Sequence, residues 1–105
     1  MTKKILFLDM DNVIVDFMSG FSKLESSVVE RHKQVHGDSN YDEIDGIFRL
    51  MDPLPGAIDS VLELSEIFDT YILSSSPWLN PSAWSDKLSW IHQHFGHEKG
   101  SPLYK

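Results

Sequence analysis

Two aspartates two positions apart, Asp9 and Asp11, follow directly on the apolar run Ile5-Leu6-Phe7-Leu8. In α/β folds the carboxyl ends of strands face the crevice where ligands bind, so this spacing puts both carboxylates where chemistry is done. An aspartate oxygen is a competent nucleophile toward phosphorus and divides one hard displacement into two through an aspartyl-phosphate. The second aspartate can protonate the leaving oxygen and later deprotonate a water. A carboxylate attacking a phosphate dianion needs charge neutralisation, which implies Mg²⁺. A second apolar run, Tyr71-Ile72-Leu73, leads into Ser74-Ser75-Ser76-Pro77, whose hydroxyls and backbone N–H groups can bind phosphoryl oxygens. Taken singly, an acidic loop or a Ser-Pro turn is ordinary solvated chain. The apolar strand in front of Asp9 is what favours a site there.

The elements that must position these residues can be read from the hydrophobic pattern. Ile5–Leu8 is continuous rather than alternating, which predicts a central parallel strand covered on both faces. A polar helical stretch follows from Ser19 to about His36, closed by the turn residues Gly37, Asp38, Ser39 and Asn40. A shorter helix over Asp42–Met51 would carry Ile44, Ile47, Phe48 and Met51 on one side. Pro53 and Pro55 hold the residues before them extended. Ala57 to Phe68 reads as an amphipathic helix and Tyr71–Leu73 as a second strand. Trp84, Leu88, Ile91 and Phe95 recur at steps of four, three and four, one face of a last helix that Gly96 caps. The order strand, helical insert, helix, strand, helix is an α/β arrangement with a long crossover. Two parallel strands do not make a stable sheet unaided, so strands are missing from this reading.

Composition narrows the function. The chain has 105 residues, enough for one domain, with nine Lys and Arg against sixteen Asp and Glu, a net charge of −7. That balance argues against a nucleic-acid polymer or an anionic membrane as the main partner. There is no cysteine, which excludes disulfides, Cys-ligated zinc, iron–sulfur clusters and a thiol nucleophile. The four-residue apolar stretch before Asp9 is too short for a signal peptide, and a cytoplasmic protein is the default expectation.

Together, the two strand-end motifs resemble the haloacid dehalogenase-like phosphohydrolases. The details are similar to one branch, the 5′(3′)-deoxyribonucleotidases of the cytosolic pyrimidine type and their bacterial and phage relatives. Asp9-Met10-Asp11-Asn12-Val13-Ile14-Val15-Asp16-Phe17 looks like that family's first motif, and Tyr71 to Pro77 like its second. Pro53-Leu54-Pro55-Gly56-Ala57 looks like its segment after the cap, and Lys87 to Ile91 with His94-Phe95-Gly96 like the helix that follows. The resemblance implies a Rossmann-like core over residues 1–17 and 53–105, and a small helical cap over 18–52. It implies Asp9 as nucleophile and Mg²⁺ ligand, and Asp11 as acid/base, its backbone carbonyl also on the metal. Ser75, with Ser76 beside it, would hold the phosphate; Phe17 and Phe48 would line the nucleoside pocket, Phe48 as a stacking residue. The implied substrate is a small deoxyribonucleoside monophosphate, and homo-oligomerisation is left open. Asn12 stands where the family often has Gly, a mild departure because Asn tolerates left-handed backbone.

The family continues with a strand carrying a phosphate-binding lysine and another ending in paired acids. Neither Lys99 nor Lys105 fits that lysine, so the expectation is the N-terminal part of a longer protein, the 105 residues alone being inactive or nearly so. A non-enzymatic alternative is a member that binds a phosphorylated ligand or a complementing segment without turnover. A phospho-receiver domain is disfavoured, since its aspartate follows a later strand. His32 and His36, four apart, have no third ligand fixed beside them and read as surface residues. Among the tryptophans, Trp84 and Trp90 read as core, and Trp78, two past Ser76, is the one candidate for facing ligand, as the minority reading for that residue.

Overall fold

The computed structural model describes residues 2–105. Strand β1 (Ile5–Leu8) lies parallel to β4 (Asp69–Ile72), pairing Ile5 with Asp69 and Leu8 with Ile72. The second strand therefore starts two residues before the expected Tyr71. Between them come β2 (Val15–Asp16), α1 (Phe17–Ser22), α2 (Ser26–His36), β3 (Asp52–Pro53) and α3 (Ala57–Ile67). Helix α4 (Ser82–Phe95) follows β4, and Gly96 at φ 88° ends it as expected.

The helical insert departs from expectation in two places. The helix expected from Ser19 to His36 is broken into α1 and α2, with Glu25 extended at ψ 142°. At the break, Lys23 is held by the Leu50 carbonyl at 2.9 Å and the Asp52 carboxylate at 2.6 Å. The helix expected over Asp42–Met51 is two separate 3₁₀ turns, Tyr41–Glu43 and Ile47–Arg49. Gly46 at φ 79° stands between them, a left-handed residue that an α-helix cannot pass through. The side that carries Ile44, Ile47, Phe48 and Met51 is nevertheless buried, as the spacing suggested. The insert is rooted where β2 and β3 pair antiparallel, Asp16 opposite Asp52. Ser19 reinforces that root, its hydroxyl donating to the Asp16 carbonyl and accepting the Asp52 N–H.

Two burial expectations are corrected. β1 is not covered on both faces: Ile5 and Phe7 remain 61% and 59% exposed, while Leu8 and Ile72 turn to the core with Ala57, Ile58 and Leu62 of α3. The apolar run allows cover on both faces, but the described residues supply it on one. On α4 the stripe through Trp84 and Leu88 is open, with those two residues 64% and 57% exposed. Of that stripe Phe95 is buried as expected, and Ala83, Lys87 and Trp90 are buried with it, because the helix is turned by its polar anchors to the insert. Asn80, fully buried, donates to the Asp42 and Ile44 carbonyls, the Gly46 N–H reaches Ser82 Oγ, and Trp90 Nε1 donates to the Met51 carbonyl at 2.8 Å. The expectation of a core position is met for Trp90 and not for Trp84.

Candidate active site

The loop after β1 is fixed by its own backbone. The Met10 carbonyl accepts the N–H groups of Val13, Ile14 and Val15, and the Met10 side chain is buried in the core. Asn12 takes the left-handed conformation, φ 57°, and its side-chain oxygen accepts the Phe17 N–H at 3.3 Å. Asn is among the few residues with a side chain that visit this region readily. The resulting tight turn leaves Asp9 exposed at the strand end, one carboxylate oxygen accepting the Met10 N–H at 2.7 Å.

On the neighbouring strand the ladder runs one residue past β4, with the Leu73 N–H donating to the Leu8 carbonyl at 2.8 Å. Ser74 and Ser75 then leave the sheet beside Asp9. Phe7, Asp9, Leu73, Ser74 and Ser75 line one open depression of about 550 Å³. The two strand ends thus meet at the same end of the sheet, as a parallel pairing requires. Ser76 lines the adjoining cavity on the α4 side, so Ser75 and Ser76 face different spaces.

Asp11 is joined to this group by a residue that the sequence pattern did not single out. Lys87 Nζ, on the buried side of α4, lies 2.9 Å from Asp11 Oδ2, 3.0 Å from Ser74 Oγ and 2.5 Å from the Ser75 carbonyl. Its side chain is 7% exposed against 35% for Asp11. The other Asp11 oxygen, Oδ1, is buried without a hydrogen-bond partner. A cation sharing hydrogen bonds between a carboxylate and a serine loop holds the two strand ends in one electrostatic unit. The signal was present in the spacing: Ala83, Lys87 and Trp90 are four and three apart, a lysine in the middle of a buried stripe.

Phe48 lies under this cation, 4.5 Å from Lys87 Nζ to the ring centroid, and packs edge-on to Phe17 at 6.0 Å. It is 2% exposed, so its ring has no face open to a base in this arrangement. Phe17 is partly exposed at the rim of the same cluster. Trp78 is 94% exposed. His32 and His36 stack at 4.6 Å, with His32 Nε2 against the Ser39 carbonyl. No group of three or more His, Asp or Glu side chains able to hold a metal gathers among the described residues. No described helix is long and apolar enough to cross a membrane.

Asp9, the serine loop and a buried lysine thus stand at one sheet end. No protein-family profile matches the chain. A Vibrio phage KVP40 protein provisionally named a 5′(3′)-deoxyribonucleotidase is 45% identical over 94 residues, 90% of this chain and 52% of that protein. The similarity is to deoxyribonucleotidases. The human 5′(3′)-deoxyribonucleotidase of cytosolic type is 27% identical over 115 aligned positions, 87% of this chain and 57% of that protein. A mimivirus protein with the same provisional name is 24% identical, over 89% of this chain and 52% of its own length. The chain spans about half the length of the curated relatives it matches.

Proposed function

We propose that this chain carries the nucleophile half of a phosphomonoesterase site for deoxyribonucleoside monophosphates. The observation that carries the reading is the meeting of Asp9 with Ser74 and Ser75 in one depression, while Lys87 ties Asp11 to the same serine loop. The names of the similar proteins supply the substrate class, and the haloacid dehalogenase-type core and residues 18–52 as cap belong to the same proposal.

In this reading an Asp9 oxygen attacks phosphorus, a P–O bond to the enzyme forms and the bond to the nucleoside oxygen breaks. Asp11 gives its proton to that leaving oxygen, then takes one from the water that releases phosphate. Ser75, exposed beside Asp9, orients the phosphoryl oxygens, and Lys87 opposes their charge from the buried side. Asp11 must exchange its bond to Lys87 for the leaving group, so substrate arrival and release of Asp11 are coupled. Mg²⁺ is proposed as cofactor. It would be held by the Asp9 carboxylate, exposed at the strand end, with the Asp11 backbone carbonyl, water and phosphate oxygens completing the shell, which leaves the Asp11 carboxyl for proton transfer. When bound it supplies neutralisation of phosphoryl charge.

The test uses the chain fused to the part of the phage relative outside the matched half. This fusion should release phosphate from deoxyribonucleoside monophosphates with Mg²⁺, and Asp9→Asn should abolish the release. Asp11→Asn should lower turnover by about 10²–10⁴-fold but keep some phosphoenzyme formation with an activated leaving group. Equal activity of the parent fusion and Asp9→Asn would refute the mechanism. Binding without turnover is the alternative, favoured by the absence of a third acidic ligand among the described residues; a fusion that binds phosphate yet never hydrolyses would establish it.

A further inference from the structure

The loop that joins β4 to α4 is tied to the helical insert by one buried side chain. Asn80 is 1% exposed, although Asn is seldom fully buried and a connecting loop normally runs over the surface. Its amide nitrogen donates to the Asp42 carbonyl at 2.9 Å and to the Ile44 carbonyl at 3.0 Å. Only the nitrogen end of the amide can face two carbonyls, so its orientation is fixed. Its oxygen accepts the Ser82 hydroxyl at 2.7 Å, and Ser82 Oγ in turn accepts the Gly46 N–H at 3.1 Å. Every hydrogen-bonding atom of the Asn80 side chain is thus used, in a closed circuit between residues 42–46 of the insert and 80–82.

The same loop begins with the serines beside Asp9. The Leu8 carbonyl holds the Leu73 N–H, and Lys87 holds Ser74 Oγ and the Ser75 carbonyl. Trp78 and Leu79, further along, are 94% and 66% exposed, so packing does little to hold this stretch. The loop hangs between two fixtures, the ammonium at one end and Asn80 at the other. Helix α4 has a second, separate tie to the insert through Trp90 Nε1 and the Met51 carbonyl, whereas the loop before it reaches the insert through Asn80.

We infer that Asn80 is a positioning residue for the serine loop, fixing Ser75 beside Asp9 by tying the loop to residues 42–46 of the insert. This part of the insert then belongs to the frame of the phosphate-binding loop and is not a separate cover. Misplacing a positioned group by about 1 Å costs up to about 10²-fold in rate, which is why such a tie bears on function. The inference rests on the reading of Ser75 as the residue that holds phosphate.

Asn80→Asp in the 105-residue chain tests it, because the carboxylate keeps the shape but sets an acceptor against two carbonyls. The expected result is a loosened loop, the backbone order parameters of Ser75 and Ser76 falling from about 0.85 to about 0.6 or below. Inorganic phosphate, followed by its ³¹P line width, should bind about tenfold more weakly, with the Trp90 indole N–H resonance unmoved. Val61→Ala, a core truncation on α3, should lower the thermal midpoint and leave phosphate binding as in the parent, which separates positioning from stability. If Asn80→Asp does not fold, Ser82→Ala opens the same circuit more gently and should give the same changes at smaller size. A loop that stays rigid with parental phosphate affinity would overturn the inference, and so would a loosened loop that binds phosphate as tightly as before. A Trp90 resonance that shifts with the loop would assign the effect to displacement of α4 and overturn it as well. A loop that loosens while neither parent nor variant binds phosphate would instead overturn the phosphate reading of Ser75, and this role of Asn80 with it, leaving the tie itself demonstrated.

Discussion

Lys87 Nζ lies 2.9 Å from Asp11 Oδ2, although the two residues are 76 positions apart. The ammonium arrives from the buried side of α4, rests over Phe48, and also binds Ser74 and Ser75. One side chain thus joins the loops that follow the two parallel strands.

Replacing that side chain by an apolar one of similar length should separate the loops. Lys87→Met is expected to destabilise the chain by about 1–3 kcal/mol, the range for lost hydrogen bonds to charged groups. Partial exposure of Asp11 holds the effect below that of a fully buried pair. Urea unfolding measures the loss, and inorganic phosphate binding, followed by the ³¹P line width, should weaken in parallel. Stability and phosphate binding both equal to the parent would disprove the role assigned to Lys87.

Mg²⁺ binding to the 105-residue chain should be weak. Dehydrating this cation requires carboxylate charge, and the described residues gather no third acidic ligand around Asp9 and Asp11. Titration calorimetry should show no binding tighter than about millimolar. A stoichiometric tight site would mean that another carboxylate of this chain turns inward.

The Lys105 ammonium hydrogen-bonds Asp69 at 2.6 Å, and this bond holds the Asp69 carboxyl below the usual carboxylate range. Partial burial opposes the shift, and the charge of Lys105 adds to it. A depressed folded-state value means that the contribution is present above the unfolded-state pKa and fades as pH falls through the folded one. In an NMR titration Asp69 should protonate at lower pH than an unpaired aspartate, and Lys105→Ala should move it back up. An unmoved midpoint in Lys105→Ala would show the pair to be without effect.

Gly20 on α1 faces the insert's core contact. A Cβ there would lie 2.7 Å from Met51 Cγ and 3.0 Å from the Ile47 carbonyl oxygen. The methionine can yield, but the backbone oxygen cannot without moving the 3₁₀ turn. Gly20→Ala should therefore cost about 1–3 kcal/mol, as overpacking does, despite the better helix propensity of Ala. A thermal midpoint at or above that of the parent would show that the turn shifts freely.

The local structure of the strand ends was legible in the sequence. Ile5–Leu8 followed by Asp9, the serine run after Leu73, the left-handed turn tolerated by Asn12, and the stops at Gly37 and Gly96 all follow from short-range rules. Apolar runs, turn residues and caps act over a few positions, and parallel pairing then brings both strand ends to one side. What the tertiary structure decided is which face of each element is covered. The spacing of Trp84, Leu88, Ile91 and Phe95 describes a good apolar stripe, yet Asn80, Ser82 and Trp90 bond to the insert and rotate α4 so that Lys87 turns inward. Phe48 was an aromatic beside a site by sequence and became the buried floor beneath the ammonium. A residue's helical face is a local property, but the partner that face meets is set by hydrogen bonds and packing across tens of residues, here between the insert and α4.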